Sequence, residues 1–159
     1  MGKFGFWVRL GYDKDMENLF DIIGVGGKVI LASAVAWVIS ALIKALLNYL
    51  RNKDSKKALR ASTKGGGMPS GHTASMAGLT ACLGVLEGFD SAIFALALCM
   101  SIVVIFDAMN VRYAVGVNAK ILQKSHKTEP VKVVEGHRPP EVLVGAIIGI
   151  LAGILVACL

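Results

Sequence analysis

Four apolar runs separated by polar segments organise this chain. The first extends from about Val29 to Tyr49, rich in Ala, Val, Ile and Leu, with Lys44 near its far end as its one charge. The second, Ala74 to Leu86, and the third, Ile93 to Phe106, are uncharged. Both fall short of the ~20 residues that a perpendicular span prefers, so their polar flanks are expected to dip into the interface. The fourth runs from Val142 to Leu159 and carries Gly145, Gly149 and Gly153 at a spacing of four. That spacing puts the glycines on one helix face, where a neighbouring helix can approach closely. Residues 1–27 are mixed: Phe4, Phe6, Trp7 and Tyr12 suit a bilayer interface, while Asp13, Lys14, Asp15 and Glu17 interrupt any span. Gly24, Gly26 and Gly27 should break a helix there. The expected fold is therefore all-α: a polytopic membrane helical bundle of about four transmembrane helices, preceded by an N-terminal interfacial helix. The division is 1–27 for the interfacial segment and 28–159 for the membrane-embedded domain.

Composition agrees. Hydrophobic residues make up 55% of the chain and charged ones only 18%, below the ~25% of soluble domains. Mean hydropathy is +0.63. No compact apolar core followed by a small-residue cleavage site marks a secretory signal at the N-terminus. Cys82, Cys99 and Cys158 all lie inside apolar runs, without metal-ligand spacing and in odd number, which argues against a disulfide framework. The net charge of +6 is better explained by anionic headgroups and membrane topology than by nucleic acid.

Charge also gives orientation. Between the first two runs lie Arg51, Lys53, Lys56, Lys57, Arg60 and Lys64 against Asp54 alone. Arg112, Lys120, Lys124, Lys127, Lys132 and Arg138, against Asp107, Glu129, Glu135 and Glu141, lie between the last two, whereas the short middle connection carries Glu87 and Asp90. The positive-inside rule places both basic connections in the cytoplasm and both termini outside. An integral protein of the cell membrane, with its polar chemistry on the cytoplasmic face, is the expectation.

Four clusters meet at that face. The stretch Lys64-Gly65-Gly66-Gly67-Met68-Pro69-Ser70-Gly71-His72 reads as a loop feeding a helix, with Ser70 placed to cap it. Free N–H groups at such an end attract anions, so the stretch is a phosphate-binding loop or else a hinge. Lys44 and Arg51 lie on one side of the first helix, two turns apart. Asp107 and Arg112 sit where the third run leaves the membrane. In Glu135-Gly136-His137-Arg138-Pro139-Pro140-Glu141, the prolines suit a first helical turn, and Glu141 can reach the imidazole of His137. A carboxylate-held histidine keeps its other nitrogen free as nucleophile or base. His126, in a lysine-rich stretch, has no such setting.

Together these residues resemble the type 2 phosphatidic acid phosphatase (PAP2) superfamily, related to vanadium haloperoxidases. Its pattern is K-x6-R-P, then PSGH, then S-R-x5-H-x3-D. Lys44 and Arg51 match the first part, with Asn52 in place of proline; Pro69-Ser70-Gly71-His72 matches the second in full; His137-x3-Glu141 resembles the end of the third, with Glu for Asp. The arginine expected shortly before that histidine is absent, and Arg112, displaced by an inserted segment, stands in for it. The resemblance is to the divergent branch of small membrane proteins and spans roughly Lys44 to Gly149, so that 28–159 reads as a PAP2-like domain.

The resemblance implies a membrane lipid phosphatase, a phosphoric monoester hydrolase of phospholipid metabolism acting on a phosphatidate- or phosphatidylglycerophosphate-like substrate. Lys44, Arg51, Ser70, Gly71 and Arg112 would bind the phosphate. His137, held by Glu141, would be the nucleophile and His72 the general acid. No metal cofactor is needed; Asp107 orients Arg112 or, alternatively, makes the site depend on Mg²⁺. An outward-facing site would suit a polyprenyl diphosphate instead. The rival class is a catalytically degenerate scaffold that binds anionic headgroups. Short spans with a glycine face also suggest a homodimer.

Overall fold

The computed structural model describes residues 19–53, 67–125 and 136–159. The N-terminal stretch 1–18, Lys64 to Gly66 of the glycine loop and His126 lie outside the described residues. Among the described residues there are five α-helices: α1 Leu19–Asn52, α2 Gly71–Glu87, α3 Ala92–Phe106, α4 Arg112–Ser125 and α5 Pro139–Ala157, with a π-helical turn over Asp107–Val111 joining α3 to α4. The chain is an all-α membrane bundle. Among the described residues, three stretches, Gly24–Arg51, Ala92–Ser125 and Pro139–Ala157, are long and apolar enough to cross a bilayer. The 17-residue α2, roughly 26 Å long, is the central helix against which α1, α3 and α5 all pack.

Two boundaries differ from the sequence expectation. Gly24 breaks the helix as expected, its non-helical backbone (φ 62°, ψ 179°) setting a kink within Leu19–Asn52, whereas Gly26 and Gly27 continue the helix. A helical glycine costs about 1 kcal/mol, less than the several kcal/mol of exposing unpaired backbone to lipid. Nor does the third helix end in a loop. It continues through the π turn into α4, giving 34 residues from Ala92 to Ser125. At roughly 51 Å this is longer than a ~30 Å hydrocarbon core, so α4 extends past the membrane.

Lipid tails are as apolar as leucine, so helices in a bilayer associate through close packing and polar contacts. Both are present. Along the α2–α5 seam, a Cβ on Gly145 would stand 2.5 Å from the Ser70 carbonyl oxygen, and Gly149 and Gly153 press as closely on the carbonyls of Ala74 and Gly78. Gly78 is also covered from α1 by Ala36 and the Ala32 carbonyl, so three helices converge there. Ser33 and Ser75 hydroxyls bond at 2.6 Å between α1 and α2, and Thr80 and Ser101 at 2.7 Å between α2 and α3. Large side chains such as Ile30, Leu42, Ile102 and Leu151 face outward.

Candidate functional site

The start of α5 forms the hub of the site. Pro139 and Pro140 occupy its first turn, where a missing N–H does no harm. Glu141, third in the helix, reaches back so that one oxygen, Oε2, accepts from the backbone N–H of Arg138 (3.2 Å) and meets Nδ1 of His137 (3.0 Å). An ionised carboxylate only accepts, so Nδ1 carries the hydrogen, and in the neutral imidazole Nε2 keeps its lone pair. His137 is 8% exposed. The main chain of Glu141 acts too: its carbonyl accepts the N–H of Ser70 at 3.0 Å. The approach to His137 is thereby tied to the approach to α2.

The π turn supplies the second tie. Arg112 N–H donates to Asp107 C=O, one residue further back than in an α-helix. The Ala108 carbonyl, which would otherwise pair with that N–H, accepts from His137 N–H at 2.9 Å. The same turn sets residues five apart side by side, and Arg112 Nε bonds Asp107 Oδ2 at 3.0 Å. Gly136 fits because it lacks a side chain: a Cβ there would lie 2.6 Å from Tyr113 N and 2.9 Å from its Cα.

Ser70 caps α2 from a fully buried position, its Oγ accepting from Thr73 Oγ1 at 2.9 Å and Thr73 N–H at 3.4 Å. With its own N–H committed to Glu141, the N–H groups of Gly71 and His72 are those that this helix end presents. Gly67, at φ +84°, brings the loop against Lys44, whose Cε would lie 3.2 Å from a Cβ there. His72 is exposed at the mouth, outside the apolar span that begins at Ala74. Partial desolvation of its ring, then repulsion from Arg112 and from His137 whenever that imidazole is protonated, hold its imidazole below the ordinary 6.5, opposed by the Asp107 carboxylate and reinforced by Lys44. Lys44, Arg112, Asp107, His137 and His72 thus share one electrostatic neighbourhood. Among the described residues, no three His, Cys, Asp or Glu side chains gather as a metal site. Asp107 is engaged by Arg112.

The chain matches the family described as "Divergent PAP2 family" over residues 25–152. It belongs to that family. Among curated proteins it is similar to the uncharacterized membrane protein YuiD of Bacillus subtilis (strain 168), at 28% identity over 148 residues covering 80% of this chain and 92% of that protein. No solved structure matches. Membership makes this a PAP2-related membrane protein.

Within this family framework, most of the residues singled out from the sequence come together: Lys44, Ser70, Gly71, His72, Asp107, Arg112, His137 and Glu141 all lie at one end of the bundle. Arg51 is placed differently, exposed in the last turn of α1 and about 10 Å further along the axis than Lys44. Three contributors were not found from sequence. Ala108 acts through its carbonyl and Gly136 through its lack of a side chain, which leaves no local signal. Ser40, one turn before Lys44, is buried under Gly71 with its hydroxyl unpaired among the described residues. The four-residue spacing from Lys44 is the signal that points to it.

Proposed function

We propose that this protein is a membrane lipid phosphatase that hydrolyses the phosphomonoester of an anionic lipid, phosphatidate- or phosphatidylglycerophosphate-like, through a phosphohistidine. The observation that carries the reading is His137, with Nδ1 held by Glu141 and its backbone tied through Ala108 and Glu141 to the elements bearing Arg112 and His72. The phosphate oxygens face Lys44, the guanidinium of Arg112 and the Gly71 and His72 N–H groups; positioning and charge stabilisation do most of the work in phosphoryl transfer. Nε2 of His137 attacks phosphorus, the P–O bond to the lipid breaks, and His72 gives its proton to the leaving alkoxide. Water then attacks the phosphohistidine, His72 takes its proton, and inorganic phosphate leaves with His137 regenerated. The negative charge of the bound phosphate offsets the cations that disfavour protonated His72. Lys53, Lys120 and Lys124 belong to the same end of the bundle, which supports a cytoplasmic site and a lipid of the inner leaflet.

The test is phosphate release from a panel of lipid phosphates in detergent by wild type and by His137→Ala. Release by wild type and its loss in a folded variant is the expected result. Release undiminished in the variant removes His137 as nucleophile; headgroup binding without release by wild type makes the protein a scaffold.

A further inference from the structure

α2 carries its site residue and an open lateral groove on one face. His72, Met76, Leu79 and Leu83 follow at intervals of four, three and four, a single stripe along a helix. α1 and α3 pack against α2 on either side of that stripe, α1 through Ser33–Ser75 and α3 through Thr80–Ser101. Between them lies a groove of about 630 Å³ with Met76, Leu79 and Leu83 as its floor, Val29 and Gly26 on the α1 wall and Leu96 on the α3 wall. Its size is that of a ligand site. Gly26 and Ala97 keep the walls low where larger side chains would fill the space.

We propose that this groove holds one acyl chain of the lipid whose phosphate occupies the site at the start of α2; the inference rests on the phosphatase reading for the headgroup's position. Complementarity along the stripe supports this occupant. The His72 end collects Lys44, Arg112 and a helix N-terminus, which suit an anion. One turn further on the lining is apolar as far as Glu87, its single charged residue, at the far end of α2; the apolar stretch suits a hydrocarbon chain. Length agrees as well. From His72 to Leu83 is roughly 16 Å at 1.5 Å per residue, about half of the ~30 Å hydrocarbon core and so the depth of one leaflet. A lipid with its headgroup at His72 therefore reaches Leu83 without leaving its own leaflet. Because bilayer chains are as apolar as the groove walls, the groove adds little binding energy. Its contribution is alignment: a chain held against α2 fixes where the phosphate stands relative to His137 and His72.

The experiment uses a diacyl lipid phosphate with a diazirine near one chain end, photolysed with the full chain in phosphatidylcholine vesicles, and maps the adducts. Adducts concentrated at Leu79, Leu83 and Leu96, suppressed by unlabelled lipid phosphate but not by more phosphatidylcholine, are expected. Leu79→Trp, which fills the groove, should remove them severalfold. The same variant should lower kcat on the long-chain substrate by about 10- to 100-fold, the range that ångström-scale misplacement produces. Its kcat on a soluble short-chain phosphomonoester should stay within about twofold. Adducts spread equally onto Leu143, Ile147 and Leu151 of α5 would overturn the proposal, as would labelling confined to residues 1–18 or between two copies of the chain. Groove labelling without phosphate release supports the groove and rejects hydrolysis. Release accompanied by unselective labelling does the reverse.

Discussion

Gly145→Ala tests the junction on which the site is built. In an isolated helix the change would stabilise by up to about 1 kcal/mol, since alanine is the better helix former. In this bundle the new Cβ would stand 2.5 Å from the Ser70 carbonyl oxygen and 3.3 Å from its carbon, about 0.9 Å inside the 3.4 Å where ordinary contact begins. The obstacle is backbone, and that carbonyl already accepts the N–H of Ala74 at 3.0 Å. No rotamer change relieves the clash, so the starts of α2 and α5 must part by nearly an ångström. That movement stretches the Ser70 N–H to Glu141 C=O bond, 3.0 Å long at present. Overpacking of this kind costs about 1–3 kcal/mol, and the weakened hydrogen bond about 1 kcal/mol more. The net expectation is a loss of roughly 1–3 kcal/mol after the helix-propensity gain. Gly26→Ala is the control, because nothing lies within 4 Å of its Cβ position, and it should be neutral or slightly stabilising. Reversible unfolding in mixed detergent micelles gives both values. Phosphate release adds a second readout: misplacement of about 1 Å between His72 and His137 should lower turnover by on the order of 10²-fold, beyond any loss of folded protein. A Gly145→Ala protein as stable as Gly26→Ala would refute the seam and the coupling inferred from it.

Three further outcomes are expected. Acidification below about pH 6.5 should destabilise the ligand-free protein through His72: the unfolded imidazole takes up a proton that burial, Arg112 and His137 disfavour in the fold, so stability falls as pH falls. His72→Gln should show a shallower decline in melting temperature between pH 7.5 and 5.5, and an equal slope would disprove the assignment. Deleting Met109 should convert the π turn to α-helix, leave Arg112 on nearly the same face as Asp107, give the Ala108 carbonyl a helical N–H partner and so release His137 N–H from it; hydrogen exchange at His137 should rise while helix content by circular dichroism stays nearly constant. EDTA should leave phosphate release intact and vanadate should compete with the lipid phosphate; loss in EDTA restored by Mg²⁺ would give Asp107 a metal-binding role.

Local features were legible in the sequence and long-range ones were not. Ser70 as the cap of α2, the prolines in the first turn of α5 and the reach of Glu141 to His137 all depend on spacings of four residues or fewer, which helical geometry decides by itself. The glycine face of α5 was equally visible, since a four-residue repeat marks one side of a helix whatever packs there. What it packs against was not visible: Gly145 meets the Ser70 carbonyl across a sequence gap that no periodicity bridges. The π turn escaped for another reason. Asp107 to Val111 would form α-helix equally well, and the additional residue in the turn is balanced by a bond from His137, far along the chain. The continuation of α4 through a segment rich in polar residues was likewise read as a loop, because polarity was weighed above the helix-forming residues Ala114, Ala119, Leu122 and Gln123.

The departures from the superfamily pattern acquire a physical meaning from these contacts. Glutamate for aspartate at 141 leaves the histidine with its carboxylate. At the third position of a helix the longer side chain is the one that folds back onto the capping residue's N–H. Here the same oxygen spans both Arg138 N–H and His137 Nδ1, so one residue caps the helix and orients the imidazole. Arg112 lies in the electrostatic neighbourhood of His72 and His137, where the π turn offers the Ala108 carbonyl to His137 and turns Asp107 onto the guanidinium. Arg51, beside the third departure at Asn52, is the one cation of the pattern that stands apart, exposed in the last turn of α1. The positions of His72 and His137 therefore depend on backbone hydrogen bonds at Ser70, Ala108 and Glu141 and on two glycines that admit close approach. Side-chain replacements at the rim leave that framework unchanged.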